Sequence, residues 1–310
     1  MNEAHNLIPC EIELPEGLFE LKAFIRSVRP VGRRSDYPTG VDLDELFQNS
    51  EMLQNSRVWR DVEGNLAAYA FVHFPYNNLT FEIADLYWSE NLEHEILVWA
   101  EERMRQRYPT GLAAETLDGS CRAEDDRMKR FFVNHGFIKQ QVESITYRVD
   151  LMNPLPEPVL PPGYSLRPLN PSSEIEKVVA LHQAAYGTRL FSIEERIAIM
   201  NTDAYLPEAD LVVQAPDGSL AGNCICGIEP RVSEIEEERG YTDPVIVHPQ
   251  HQRRCIARAL LLEGLARLRE RGIRFAELGT SNLNMGMRKA AEAAGFQCVS
   301  QRAWYSKKIE

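Results

Sequence analysis

The chain has 310 residues, 44% hydrophobic and 26% charged, a length for two domains and an ordinary globular composition. Its formal charge of −12 argues against a nucleic-acid backbone as partner, because phosphate contacts need clustered Lys and Arg. No apolar run reaches the ~18 residues that a membrane crossing takes, and the cysteines at 10, 121, 224, 226, 255 and 298 are too scattered for a disulfide framework.

Residues 1–17 carry neither the basic start nor the apolar centre of a secretion signal, so reducing cytoplasm is the expected compartment. A helix is expected early in the first half. A strand hairpin over 57–74 then turns at Glu63-Gly64-Asn65. A strand over 80–88, a helix over 93–107, a strand near 111–118, a helix over 125–137 and a strand over 142–151 follow. Pro154, Pro156, Pro158, Pro161, Pro162 and Pro168 crowd residues 153–168, which read as a linker.

Beyond it the same landmarks return in the same order. A helix over 172–187 is expected, with Ser172 or Ser173 as cap and Gly187 as stop. A hairpin over 210–228 turns at Pro216-Asp217-Gly218, and strands, helices and a last strand complete the half. Gly136-Phe137 matches Gly295-Phe296, with Tyr147 and Tyr305 at similar distances beyond. An internal repeat of this size predicts two copies of one α/β (α+β) domain, at 1–155 and 156–310. Each would have a mixed, mostly antiparallel sheet flanked by helices. Cys224 and Cys226 have no second Cys/His pair at zinc spacing. They read as buried strand residues, and no metal is expected.

The stretch Val247–Gly272 joins a strand end to an amphipathic helix through a short basic loop. Ile256, Leu260, Leu261, Gly264, Leu265 and Leu268 fall on one helical face. Such a turn aims several free N–H groups at one point with a helix dipole behind them, a site for a pyrophosphate. Basic turns of this shape also occur with no ligand. The first copy has its counterpart at 87–99, where Glu90, Glu93 and Glu95 would repel an anion.

The second half resembles the GNAT acetyltransferase superfamily. Its acetyl-CoA loop pattern, Q/R-x-x-G-x-G/A, is matched by Gln252-Arg253-Arg254-Cys255-Ile256-Ala257, with Cys255 in place of the first glycine. The downstream Asn284 and the ending Ala290-Ala291-Glu292-Ala293-Ala294-Gly295-Phe296 also fit, over roughly residues 160–310. With the fainter first half, the chain resembles tandem-domain GNAT proteins, mycothiol-synthase-like proteins among them.

That resemblance implies an N-acetyltransferase with acetyl-CoA as co-substrate and a small-molecule amine as acceptor, with no nucleic-acid or membrane partner. It implies that Val245, Ile246 and Val247 line the acyl end and that Gln252 to Ala257 hold the pyrophosphate. Asn284 either contacts the CoA chain or caps its helix. Cys255 keeps the N–H donor if its φ is negative; alternatively it is a reactive thiol at a helix start. For the base, Asp243 comes first and Glu238, in the acidic run 233–240, second. Each also has a plain reading, as a strand-end cap and a solvated loop. A loop that overhangs the cleft would favour a polycationic amine. The family's general-acid tyrosine is replaced by Ala291; Tyr305 or Tyr241 would have to stand in, although Tyr305 also reads as strand core. The first copy is expected to be degenerate. The rival to an enzyme is a non-catalytic acyl-CoA-binding or protein-interaction module that kept the fold.

Overall fold

The computed structural model of the protein describes residues 6–107, 115–230 and 238–309. Two compact units emerge: the second is one continuous stretch, and the first is a stretch completed by the segment that follows the second. The first takes residues 1–141 with 302–310, and the second takes 142–301.

The first unit holds β1 (Ile8–Cys10), α1 (Glu16–Val28), α2 (Gly40–Leu46), α3 (Ser50–Gln54), β2 (Ser56–Arg60), β3 (Leu66–His73), β4 (Asn78–Ile83), α4 (Glu90–Arg107), β5 (Thr116–Arg122) and α5 (Asp126–Asn134). The expected hairpin turn forms: Asp61 Oδ1 accepts the N–H groups of Glu63 and Asn65, and Gly64 supplies the left-handed φ of +89°. β1 to β4 pair antiparallel, and β4 meets β5 in parallel at Asn78↔Asp118.

β6 (Ile138–Asp150) runs from the first unit into the second. There it is followed by β7 (Ser165–Pro168), α6 (Pro171–Tyr186), α7 (Ile193–Met200), β8 (Tyr205–Gln214), β9 (Leu220–Glu229), β10 (Arg239–Val247), α8 (Ile256–Glu270), β11 (Phe275–Ser281) and α9 (Met285–Ala293). The strand order is β6-β11-β10-β9-β8-β7, antiparallel except for β10 with β11. α6 starts earlier than expected. Asn170 is its cap, accepting from Ser172 N, because Pro171 at the first helical position needs no N–H partner. It stops at Gly187 with φ +66°, as expected.

The chain's last strand, β12 (Gln297–Lys308), leaves the second unit. Its Arg302–Lys308 part pairs with β5, from Arg302↔Arg122 to Lys308↔Thr116. β6 pairs with β11, from Phe275↔Asp150 to Ser281↔Ser144. Each repeat therefore receives its closing strand from the other repeat's sequence. The compact units differ from the consecutive division at 155/156 for this reason. Packing decides it: Tyr147 and Val149 of β6 are buried in the second core, and Ala303 and Tyr305 of β12 in the first. The proline-rich stretch is also more than a linker, since Leu155, Leu160, Tyr164 and Leu166 pack on the second core and 165–168 form β7.

α8 sits close against its sheet because two glycines permit it. A Cβ on Gly264 would collide with Cys226 Sγ, and one on Gly222 would stand 2.9 Å from Ile256 and 3.0 Å from Leu260. Buried Ile256, Leu260, Leu261, Leu265 and Leu268 fill this interface, each contributing about 1.5–3 kcal/mol. The helix start is thereby fixed relative to the end of β10.

Candidate active site

β10 and β11 run together for only three registered pairs, Arg239↔Phe275 to Tyr241↔Glu277. Beyond them β10 keeps its partner β9, while β11 keeps β6. The two strands part, and the exposed flank of β10 faces the opening. His248 N donates to Ala221 O on the β9 side. By the two-residue alternation of an antiparallel ladder, Val245 and Val247 then direct their N–H groups toward the opening. The Val247 carbonyl accepts from Gln252 Nε2 at 3.4 Å, consistent with that direction. Val245 packs on the α8 side and Ile246 on the α6 side.

At the opening's inner end, Asp243 and Pro244 stand opposite the single residue Ile225, a β-bulge between Thr242↔Cys226 and Val245↔Cys224. The bulge turns the exposed Asp243 out of the ladder. Its carboxylate points across to β11, 3.6 Å from where a Cβ on Gly279 would stand. Behind it, Cys224 and Cys226 lie 3.6 Å apart and fully buried. The hydrogen bond to Cys226 and burial push the Cys224 thiol well up, so it stays protonated and is no nucleophile.

At the outer end, Arg253 and Cys255 both take left-handed φ, +59° and +61°. The condition of a negative φ at Cys255 is thus not met: the position is one where a glycine would fit without cost. A residue of ordinary φ, Arg254, lies between them. Such alternation turns successive N–H groups to one side and makes an anion-binding hollow. Cys255 is the N-cap of α8 and makes no side-chain cap bond, so the first N–H groups of the helix, from Ile256, Ala257 and Arg258, point outward. Arg258 Nε is buried without a hydrogen-bond partner among the described residues. The donor set suits a pyrophosphate, which supplies many acceptors and the charge that a helix start favours.

The other expected site residues are divided. Glu238 is described, just before β10, but Glu234, Glu236 and Glu237 lie outside the described residues. Tyr241 lies over Gly227, whose missing side chain makes room for its ring. Asn284 caps α9, its Oδ1 accepting from Met287 N at 3.1 Å. Ala291, where the family tyrosine would stand, is fully buried in the core. Tyr305 is not brought to this opening. It belongs to the first unit's core, stacked on Phe132 at 4.8 Å, with burial raising its hydroxyl pKa. Two contributors were missed. Tyr164, from the proline-rich stretch, meets Arg254 and His251. Tyr147, from β6, meets Glu292 and Arg288 of α9. Nothing in the sequence spacing links either residue to its partner; only the repeat marked Tyr147 at all.

The family model for the acetyltransferase (GNAT) family matches residues 177–296. Those residues form a GNAT acetyltransferase domain. A mycothiol acetyltransferase of Thermobispora bispora is 27% identical over 153 residues, which are 48% of this chain and 52% of that protein. The match thus spans about half the length of the relative. The fold is that of a GCN5-related N-acetyltransferase from Sphaerobacter thermophilus, at TM-score 0.74 and 20% identity, covering 98% of this chain and 96% of that one. It is also that of a tandem GNAT protein from the clavulanic acid biosynthesis pathway, at TM-score 0.70 and 16% identity over 98% of each chain. The mixed, mostly antiparallel sheets flanked by helices are therefore those of a tandem GNAT fold.

The corresponding place in the first unit differs from the GNAT domain in its chemistry. The start of α4 is capped by its own residue: Leu92 N is 3.3 Å from Ser89 Oγ. Glu93 takes Trp88 Nε1 and approaches His135 Nε2 at 3.4 Å. Arg127 lies over the Trp88 ring at 4.8 Å and pairs with Asp85. Where β4 and β5 part, Phe81 and Phe131 pack at 4.7 Å. The α8 start is open where the α4 start is capped, acidic and aromatic.

Proposed function

We propose that the chain transfers an acetyl group from acetyl-CoA to a primary amine of a small molecule, using the second unit. The carrying observation is the run from Asp243 to Ala257: a bulged carboxylate, two strand N–H groups facing an opening, and an uncapped helix start behind a left-handed loop. In this reading Arg253 to Ala257 bind the pyrophosphate through backbone N–H groups. Val245 and Val247 donate to the thioester oxygen as it gains charge. Asp243 takes the ammonium proton, directly or through one water, so that the neutral amine attacks. The thiolate leaves with little proton help, which suits a site where Ala291 has replaced a tyrosine. The first unit is a degenerate copy that binds no CoA. The six free cysteines support a reducing cytoplasmic setting.

The buried Ala291 and the seat of Tyr305 in the first unit's core favour a second reading, a CoA-binding module without chemistry. One experiment separates them. Thermal shift with acetyl-CoA tests binding, and release of free thiol across a panel of amines tests transfer. Stabilisation with amine-dependent release supports the enzyme. Stabilisation with no release on any amine supports the module, and no stabilisation ends both.

A further inference from the structure

A loop with two non-glycine residues in the left-handed region needs something to hold it there. Each such residue lowers the population of that conformation by about tenfold. Gln252 Nε2 ties the loop's first residue back to Val247 O, and among the described residues no hydrogen bond holds Arg253 or Cys255 from within residues 252–257. Arg254 instead reaches out of the loop, its Nη1 donating to the Tyr164 hydroxyl at 3.0 Å. The same hydroxyl lies 2.9 Å from His251 Nδ1, with the two rings edge to face at 5.7 Å. His251 precedes Gln252 and is itself tied back by His251 N to His248 O at 2.8 Å. One hydroxyl thus grips the loop just before its start and at the residue between Arg253 and Cys255.

Tyr164 is well placed to act as an anchor. Tyr164 N donates to Pro161 O, closing a turn whose Gly163 has φ +82°. A Cβ on Gly163 would stand 3.0 Å from Pro216, so the turn lies directly on the β8–β9 hairpin. Leu160 and Leu166, on either side of it, pack on the second core together with Tyr164.

We infer that Tyr164 is a positioning residue that holds the glycine-less loop in its left-handed form, through Arg254 and His251. The inference rests on reading residues 252–257 as the acetyl-CoA loop. In the absence of the first glycine, the proline-rich stretch supplies from outside the conformational restraint that a glycine makes unnecessary.

The test is a double-mutant cycle of Tyr164→Phe and Cys255→Gly, read in two ways. Hydrogen exchange of the amides of residues 253–257 is measured without ligand, and the acetyl-CoA dissociation constant by calorimetry. Tyr164→Phe alone should speed exchange and weaken acetyl-CoA, each about tenfold, the worth of one hydrogen bond to a charged group. The denaturation midpoint of the whole protein should hold. In the Cys255→Gly background the same change should have a clearly smaller effect, because glycine takes the left-handed form unaided and only Arg253 still needs the hold. Equal effects in both backgrounds, or unchanged exchange in Tyr164→Phe, would overturn the inference. Should the exchange cycle behave as expected while the parent binds no acetyl-CoA, the tether stands and the acetyl-CoA reading falls. Should the parent bind and the cycle show no coupling, the reverse holds.

Discussion

The Asp243 carboxylate faces Gly279 across the parting of β10 and β11, 3.6 Å from the place a Cβ would occupy. The bulge on one strand and the missing side chain on the other keep the carboxylate clear of any β11 side chain at this position. Asp243→Asn should lower turnover about a hundredfold, the usual loss of a general base, with acetyl-CoA affinity unchanged. Gly279→Val should raise the KM for the amine without weakening acetyl-CoA. Steady-state kinetics with calorimetry checks both. If Asp243→Asn keeps full activity and Glu238→Gln loses it, Glu238 is the base.

The two repeats should differ in stoichiometry. The start of α8 is uncapped and basic, and that of α4 is capped by Ser89 and faced by Glu93. Titration calorimetry should find one acetyl-CoA per chain. Arg254→Glu should weaken it at least tenfold, and Asn91→Glu should not change it. Two equivalents would end the degenerate-copy reading.

Beneath α7, Arg196 and Asp210 form an ion pair at 1% and 0% side-chain exposure. Tyr205 and Asn223 complete the Asp210 shell. Arg196→Met leaves the carboxylate buried without its cation and should cost about 3–5 kcal/mol in urea unfolding. Adding Asp210→Leu should recover most of that loss. A single-mutant loss under about 1 kcal/mol would mean that the pair is hydrated in solution.

His182 gives stability a pH dependence. Burial, with the neighbouring Arg196 charge, lowers its pKa from 6.5 to about 4. Phe191 stacks on the ring at 4.0 Å, and Tyr186 lies 4.6 Å away. The folded state refuses a proton that the unfolded chain accepts. Stability is therefore full above about pH 6.5 and falls toward pH 4, by at most about 1.4 kcal/mol per pH unit. His182→Phe should flatten that part of the urea-midpoint profile. A profile identical to the parent's would assign the dependence to other groups, His73 first, whose burial also lowers it to about 4.

Much of this architecture is legible in the sequence because it is local. Hydrophobic spacing marks α8, the turn residues Gly64 and Gly218 mark both hairpins, and the order of landmarks marks the repeat. The loop proposed to bind the pyrophosphate is legible for the same reason, since its donors are consecutive backbone N–H groups. The conformation of that loop is not: Cys255 carries a side chain suited to a negative φ, yet it stands at +61° under a restraint from Tyr164, 91 positions earlier.

Tertiary packing alone decided which strand closes which unit. Tyr147 and Tyr305 occupy equivalent places in the repeat, so pattern assigns each to its own half. In the protein, Tyr147 is buried in the second core, with its hydroxyl on Glu292, and Tyr305 in the first, stacked on Phe132. Two strands of the same alternation offer the same backbone donors and acceptors to either edge, so local sequence leaves the pairing open. It is settled by which core each aromatic side chain fills, and with it goes the place of Tyr305, readable from sequence as a stand-in for the missing tyrosine or as strand core, and held in the first core.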